Sequence, residues 1–101
     1  MSQIHSILCC CGSGIGSSIL TEMNLRKALI KLGRTDIVSG HAALSEIADK
    51  DADLIVTGKE MLDQVRAFPR VIALTRMISE AELTAKLEAA FSEERDEFMI
   101  Q

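Results

Sequence analysis

The chain has no tryptophan and no tyrosine, and its only aromatic residues are three phenylalanines. Base-stacking platforms need more aromatic surface than this. Positive charge is not in excess either: 11 Lys and Arg against 15 Asp and Glu leave a net charge of −4. The basic residues are scattered, so a phosphate-backbone grip on nucleic acid is not expected. No apolar run approaches the roughly 20 residues of a membrane span. Ile7–Cys11 is too short for a signal-peptide core and lacks a basic lead, so a cytoplasmic protein without membrane insertion is expected. Cysteine is scarce and contiguous, at positions 9, 10 and 11. An odd, adjacent set is no disulfide framework, and without a C-x-x-C pair dithiol redox chemistry is not expected. Only His5 and His41 could join a metal site, and no metal or other cofactor is expected.

What is present suits one globular domain over residues 1–101. Apolar residues make up 48% and charged residues 26%, ordinary values for such a domain. Gln3–Cys10 is a short apolar run that reads as a buried strand. Ser18–Leu32 carries Leu25, Ala28, Leu29 and Leu32 at helical spacing, and Gly33 is a stop signal. Thr35–Gly40 is a candidate second strand and Leu44–Ala48 a short helical turn. Asp53–Thr57 is apolar enough for a central parallel strand. Glu60–Arg66 reads as a short helix and Arg70–Thr75 as a fourth strand. Ser79-Glu80-Ala81-Glu82 fits a capping box. The helix it opens places Leu83, Leu87, Ala90 and Phe91 on one stripe. The acidic run Glu93–Glu97 reads as a solvated helix end, and disorder is expected only in the tail Ser92–Gln101.

The resulting order, βαβαβαβα, predicts an α/β fold: a small open parallel sheet of four strands flanked by helices. Ligands of such sheets bind beyond the carboxyl ends of the strands. Directly after the first strand stands Cys11-Gly12-Ser13-Gly14-Ile15-Gly16-Ser17-Ser18. Glycines at 12, 14 and 16 let backbone amides turn towards an anion. The helix start adds unpaired N–H groups and the positive end of its dipole. Ser13, Ser17 and Ser18 can add hydroxyls, with Ser17 or Ser18 as helix cap. The amides that would bind a phosphoryl dianion would also stabilise a thiolate, so Cys11 is the candidate nucleophile. Two other loops fit poorly: the dinucleotide pattern needs a glycine where Ser17 stands, and no Walker lysine follows. Lys59 and Arg76, each just after a strand, are candidate phosphate contacts. His41 reads as an exposed loop residue, and Cys9 and Cys10 as small buried hydrophobes.

The loop resembles that of the cysteine phosphatases, Cys-x5-Arg, which low-molecular-weight members place after the first strand. Ser17 stands in place of the arginine, and the only proline, Pro69, follows Phe68, so no Asp-Pro acid element exists. A phosphatase-like hydrolase and a non-catalytic anion-binding domain are thus the alternatives to a carrier. The stronger resemblance is to the enzyme IIB components of the phosphoenolpyruvate-dependent sugar phosphotransferase system. Members of the lactose, mannitol, galactitol and ascorbate types have a Cys-led loop at this place. The run Cys11–Ser18 is most similar to the ascorbate type, whose pattern is C-G-x-G-x-G-S-S. Length, strand–helix order, Ala52-Asp53-Leu54-Ile55 and Met77-Ile78-Ser79 extend the resemblance over nearly the whole chain; Thr75-Arg76 departs from it. It implies that Cys11 is phosphorylated by a histidine of a IIA protein, with Gly12 through Ser18 as the phosphate cradle. A sugar bound by the IIC membrane permease, L-ascorbate by the resemblance of the loop, would then take the phosphoryl group.

Overall fold

The computed structural model describes residues 4–11, 16–43, 52–65, 68–76, 79–93 and 97–101. Strand β1 (Ser6–Cys11) leads to helix α1 (Gly16–Lys31) and strand β2 (Val38–Ala43). Strand β3 (Leu54–Gly58) runs into a 3₁₀ helix, Lys59–Gln64. Strand β4 (Arg70–Leu74), helix α2 (Glu80–Ser92) and strand β5 (Phe98–Ile100) follow. All strand pairs are parallel, in the order β2-β1-β3-β4-β5. The α/β class and the open parallel sheet stand as expected, but the strands number five rather than four.

The fifth strand overturns the expectation of disorder throughout the tail Ser92–Gln101; of the acidic run Glu93–Glu97, residues 94–96 lie outside the described residues. Phe98 is buried in the main core, and its N–H donates to the Pro69 carbonyl at 2.8 Å. Arg70 to Ile72 pair with Phe98 to Ile100. Among the described residues, the two crossovers made by α-helices, β1-α1-β2 and β4-α2-β5, run in opposite directions across the sheet, yet α1 and α2 cover the same face. They therefore have opposite hands, an uncommon arrangement among parallel crossovers.

Strand alternation divides the core in two. Ile7, Cys9, Leu54, Val56, Ile72 and Leu74 face the helices, against Leu25, Ala28 and Leu29 of α1 and Leu83, Leu87 and Ala90 of α2. Cys10, Ile55 and Val71 face the other way, against Leu62 of the 3₁₀ helix and Val65 and Phe68 after it. Each leucine buried in this way is worth about 1.5–3 kcal/mol. All five residues of β3 are buried, as its continuous apolar run and central place require.

Helix α1 ends as expected at Gly33. Its φ of +71° is the left-handed conformation, and Arg34 N–H reaches the Leu29 carbonyl at 2.8 Å. Strand β2 lies three residues later than its expected span, because register with β1 pairs Ser6 with Val38 and Cys11 with Ala43. This edge strand reads Val-Ser-Gly-His-Ala-Ala and carries no apolar run to mark it. The short helix expected at Glu60–Arg66 is the 3₁₀ helix Lys59–Gln64, and Leu44–Ala48 lies outside the described residues.

Candidate active site

The carboxyl ends of all five strands share one edge of the sheet. From β1 the chain moves one way to β2, and from β2 it returns past β1 to β3. Between the diverging connections of such a switch point lies the usual ligand crevice. Cys11, the last residue of β1, stands at that point and pairs with Ala43 of β2. Helix α1 starts at Gly16, five residues on. Ser17 and Ser18 therefore belong to its first turn and are not its cap, as the sequence suggests. Their amides and that of Gly16 are among those that no helical carbonyl can accept. Gly12, Ser13, Gly14 and Ile15 lie outside the described residues.

Cys9 and Cys10 are buried thiols, in no disulfide, on opposite faces of β1. Burial, then the neighbouring Cys10 and Glu22, push the Cys9 thiol well above its ordinary value, so it stays protonated and inert. Behind Cys11, the buried hydroxyl of Thr57 donates to the Cys10 carbonyl at 3.0 Å. That bond ties the end of β1 to β3 one residue before the candidate nucleophile. Among the described pairs, the β1–β3 register ends at Cys9 and Val56, so the side-chain bond continues the tie beyond the ladder.

A second group of polar residues fastens α1 to β2. Glu22, on the inner side of α1, is buried and accepts from Arg26 Nη2 at 2.5 Å and bonds Nδ1 of His41. Arg26 Nε also donates to Ser39 Oγ at 3.3 Å. Burial acts to raise the Glu22 pKa, but hydrogen bonds from His41 and Arg26, with their charges, outweigh it and hold it below the ordinary value. His41 is thus a strand residue with a carboxylate partner, not the loop histidine the sequence suggests. Only the i,i+4 spacing of Glu22 and Arg26 hints at this group in the sequence.

At the end of β4, Glu82 replaces half of the expected capping box. Ser79 Oγ does accept from Glu82 N–H, at 3.2 Å. The Glu82 carboxylate does not return the bond. It accepts from the backbone N–H groups of Thr75 at 2.7 Å and Arg76 at 2.9 Å, and from Lys86 Nζ at 2.7 Å. Lys86 Nζ donates also to the Ala73 carbonyl, so the turn after β4 is held to α2 from two sides. Lys59 and Arg76, the two candidate phosphate contacts, are exposed residues that follow β3 and β4 at the same sheet edge as Cys11.

Residues 6–89 match the family model described as the lactose/cellobiose-specific IIB subunit of the PTS system. The chain belongs to this IIB family. Its members are phosphotransferases, and the matched span of this IIB domain runs from β1 to the last turns of α2, short of β5. The chain is also similar to proteins named PTS system mannitol-specific EIICB component from Staphylococcus aureus, strains COL, MSSA476 and MRSA252. Identity to each is 29% over 75 residues, which is 73% of this chain and 14% of the relative. The IIB domain thus corresponds to a small part of those longer proteins. Among its described residues no helix is long and apolar enough to cross a membrane.

Proposed function

We propose that this IIB domain is a cytoplasmic phosphoryl carrier, working as one unit over residues 1–101, with Cys11 as the residue that is phosphorylated. The observation that supports this most is the place of Cys11: the carboxyl end of β1, at the switch point, five residues ahead of the start of α1. The Cys11 thiolate attacks the phosphorus of a phosphohistidine on a IIA protein; the S–P bond forms as the N–P bond breaks and the imidazole leaves. Backbone amides from Gly12 to Ser18 and the α1 dipole hold the phosphoryl oxygens. In the second step a sugar hydroxyl, bound by the IIC permease, attacks the same phosphorus. The S–P bond breaks, and the hydroxyl proton passes to a base on the permease side. Ser17 in place of the phosphatase arginine suits a carrier, which gains by not speeding attack by water.

The sugar is read as L-ascorbate from the pattern of Cys11–Ser18, while the matched family model and the relatives carry the names of other sugars. A chase experiment tests both levels. The protein is loaded from phosphoenolpyruvate through enzyme I, HPr and a IIA protein, then mixed with IIC-bearing membranes and L-ascorbate, mannitol or lactose. Loss of protein-bound phosphate with any one sugar, matched by the sugar phosphate, supports the carrier, and L-ascorbate supports the finer reading. Phosphate released only as inorganic phosphate would overturn it in favour of a hydrolase.

A further inference from the structure

Helix α1 packs Leu25, Ala28 and Leu29 into the main core. Apolar packing is non-directional and does not by itself fix the height of a helix along a strand. Hydrogen bonds do, and two rungs join α1 to β2. Glu22 bonds Nδ1 of His41, and Arg26 Nε donates to Ser39 Oγ at 3.3 Å. From Glu22 to Arg26 the helix advances roughly 6 Å. From His41 back to Ser39 the strand covers roughly 6.6 Å. The two spans match, so both rungs form at the same setting of α1, and a slip by one helical residue, roughly 1.5 Å, would disturb both. Arg26 Nη2 donates to Glu22 at 2.5 Å and closes the ring. Glu22 is 6% exposed, and its carboxyl is held below the ordinary range, so it is ionised at neutral pH. Moving such a buried charge off its partners is costly, which makes the ring a stiff joint.

The joint has a fixed relation to the candidate site. His41 stands opposite Cys9, and Ala43 opposite Cys11. From the His41–Glu22 rung the strand runs roughly 6.6 Å to the level of Cys11. In the same direction α1 runs back from Glu22 to its start at Gly16, roughly 9 Å. By these rises the first amides of α1 come level with, or just beyond, the end of β1. We infer, on the carrier reading of Cys11, that Glu22 and His41 are positioning residues for phosphoryl transfer: they fix the height of α1, so that the amides at its start meet the phosphoryl oxygens. They act through the helix. The reaction is sensitive to such placement, since an error of about 1 Å can cost about 100-fold in rate.

The test measures the rate of Cys11 phosphorylation against the concentration of phosphorylated IIA protein, with thermal unfolding recorded for each variant. Glu22→Ala and His41→Ala should lower kcat about tenfold or more and leave KM for the donor within about twofold. Glu22→Gln keeps the shape and can still accept from Arg26 and bond His41, so its kcat should stay within about threefold of wild type. His41→Asn, whose amide nitrogen can take the place of Nδ1, should recover to the same extent. Gly33→Ala, at the far end of α1, controls for lost stability and should keep the wild-type kcat. If Glu22→Ala does not fold, His41→Ala on the edge strand decides in its place. Wild-type kcat in His41→Ala would overturn the positioning role while leaving the carrier reading intact. An equal loss in Glu22→Gln and Glu22→Ala would overturn it in favour of a role for the charge alone. Wild-type protein that takes no phosphoryl group from any donor would overturn both readings.

Discussion

Replacing Glu82 by Gln removes a charge from the junction of β4 and α2, and the structure sets the size of the effect. The carboxyl is held at about 2 instead of the ordinary 4.5. Burial works against this, and the Lys86 hydrogen bond with the Thr75 and Arg76 amides overcomes it. A carboxyl depressed that far favours the folded, ionised form by about 3 kcal/mol. The side chain keeps 19% of its surface in water, and solvent screening reduces the useful part to about 1.5–2 kcal/mol. Because the folded value is the lower one, this stability is complete above pH 4.5 and is lost as the pH falls through about 2. Urea unfolding of wild type and Glu82→Gln should thus show a gap of about 1.5–2 kcal/mol at pH 7. At pH 3 the gap should shrink to less than half of that. A gap of equal size at both pH values would mean that packing, and not the ionised carboxylate, holds the turn. The absence of a gap at pH 7 would refute the reasoning altogether.

Two further stability predictions concern the elements that frame the site. Thr57→Val keeps the shape of a buried side chain but removes the donor to the Cys10 carbonyl. It should cost about 1–2 kcal/mol, and a melting temperature equal to wild type would show that the bond contributes nothing. Gly33→Ala introduces a Cβ that meets nothing within 4 Å, so its cost is that of the left-handed backbone alone. About 1–2 kcal/mol is expected, with Gly33→Asn less harmful; unchanged urea midpoints in both would contradict the assigned turn.

The parts of this architecture that could be read in the sequence are those whose signal is local. Strands β1, β3 and β4 are buried on both faces and appear as short apolar runs, and the stripe Leu83, Leu87, Ala90 follows helical period. Strand β2 occupies an edge, where Ser39, Gly40 and His41 satisfy the sheet without an apolar run, so its span is misplaced by three residues. Strand β5 has three residues next to an acidic stretch; Phe98 gains its place from the Pro69 carbonyl and the core beneath α2, both distant in sequence. The same holds for polar groups. Glu22 meets His41 across 19 residues, and the Glu82 carboxylate closes on the turn after β4 where a capping box would return it to Ser79. The run after β1 stands out in the sequence because its residues are consecutive, a cysteine, three glycines and a helix start; of these the described residues give the strand end at Cys11 and the start of α1 at Gly16.

The most direct test of the central claim is intact mass spectrometry of the protein after incubation with phosphoenolpyruvate, enzyme I, HPr and a IIA protein, with peptide mapping under conditions that preserve phosphocysteine. One phosphoryl adduct is expected, on Cys11, absent in Cys11→Ser and retained in Cys9→Ser and Cys10→Ala. An adduct on Cys9 or Cys10, or full phosphorylation of Cys11→Ser, would contradict it.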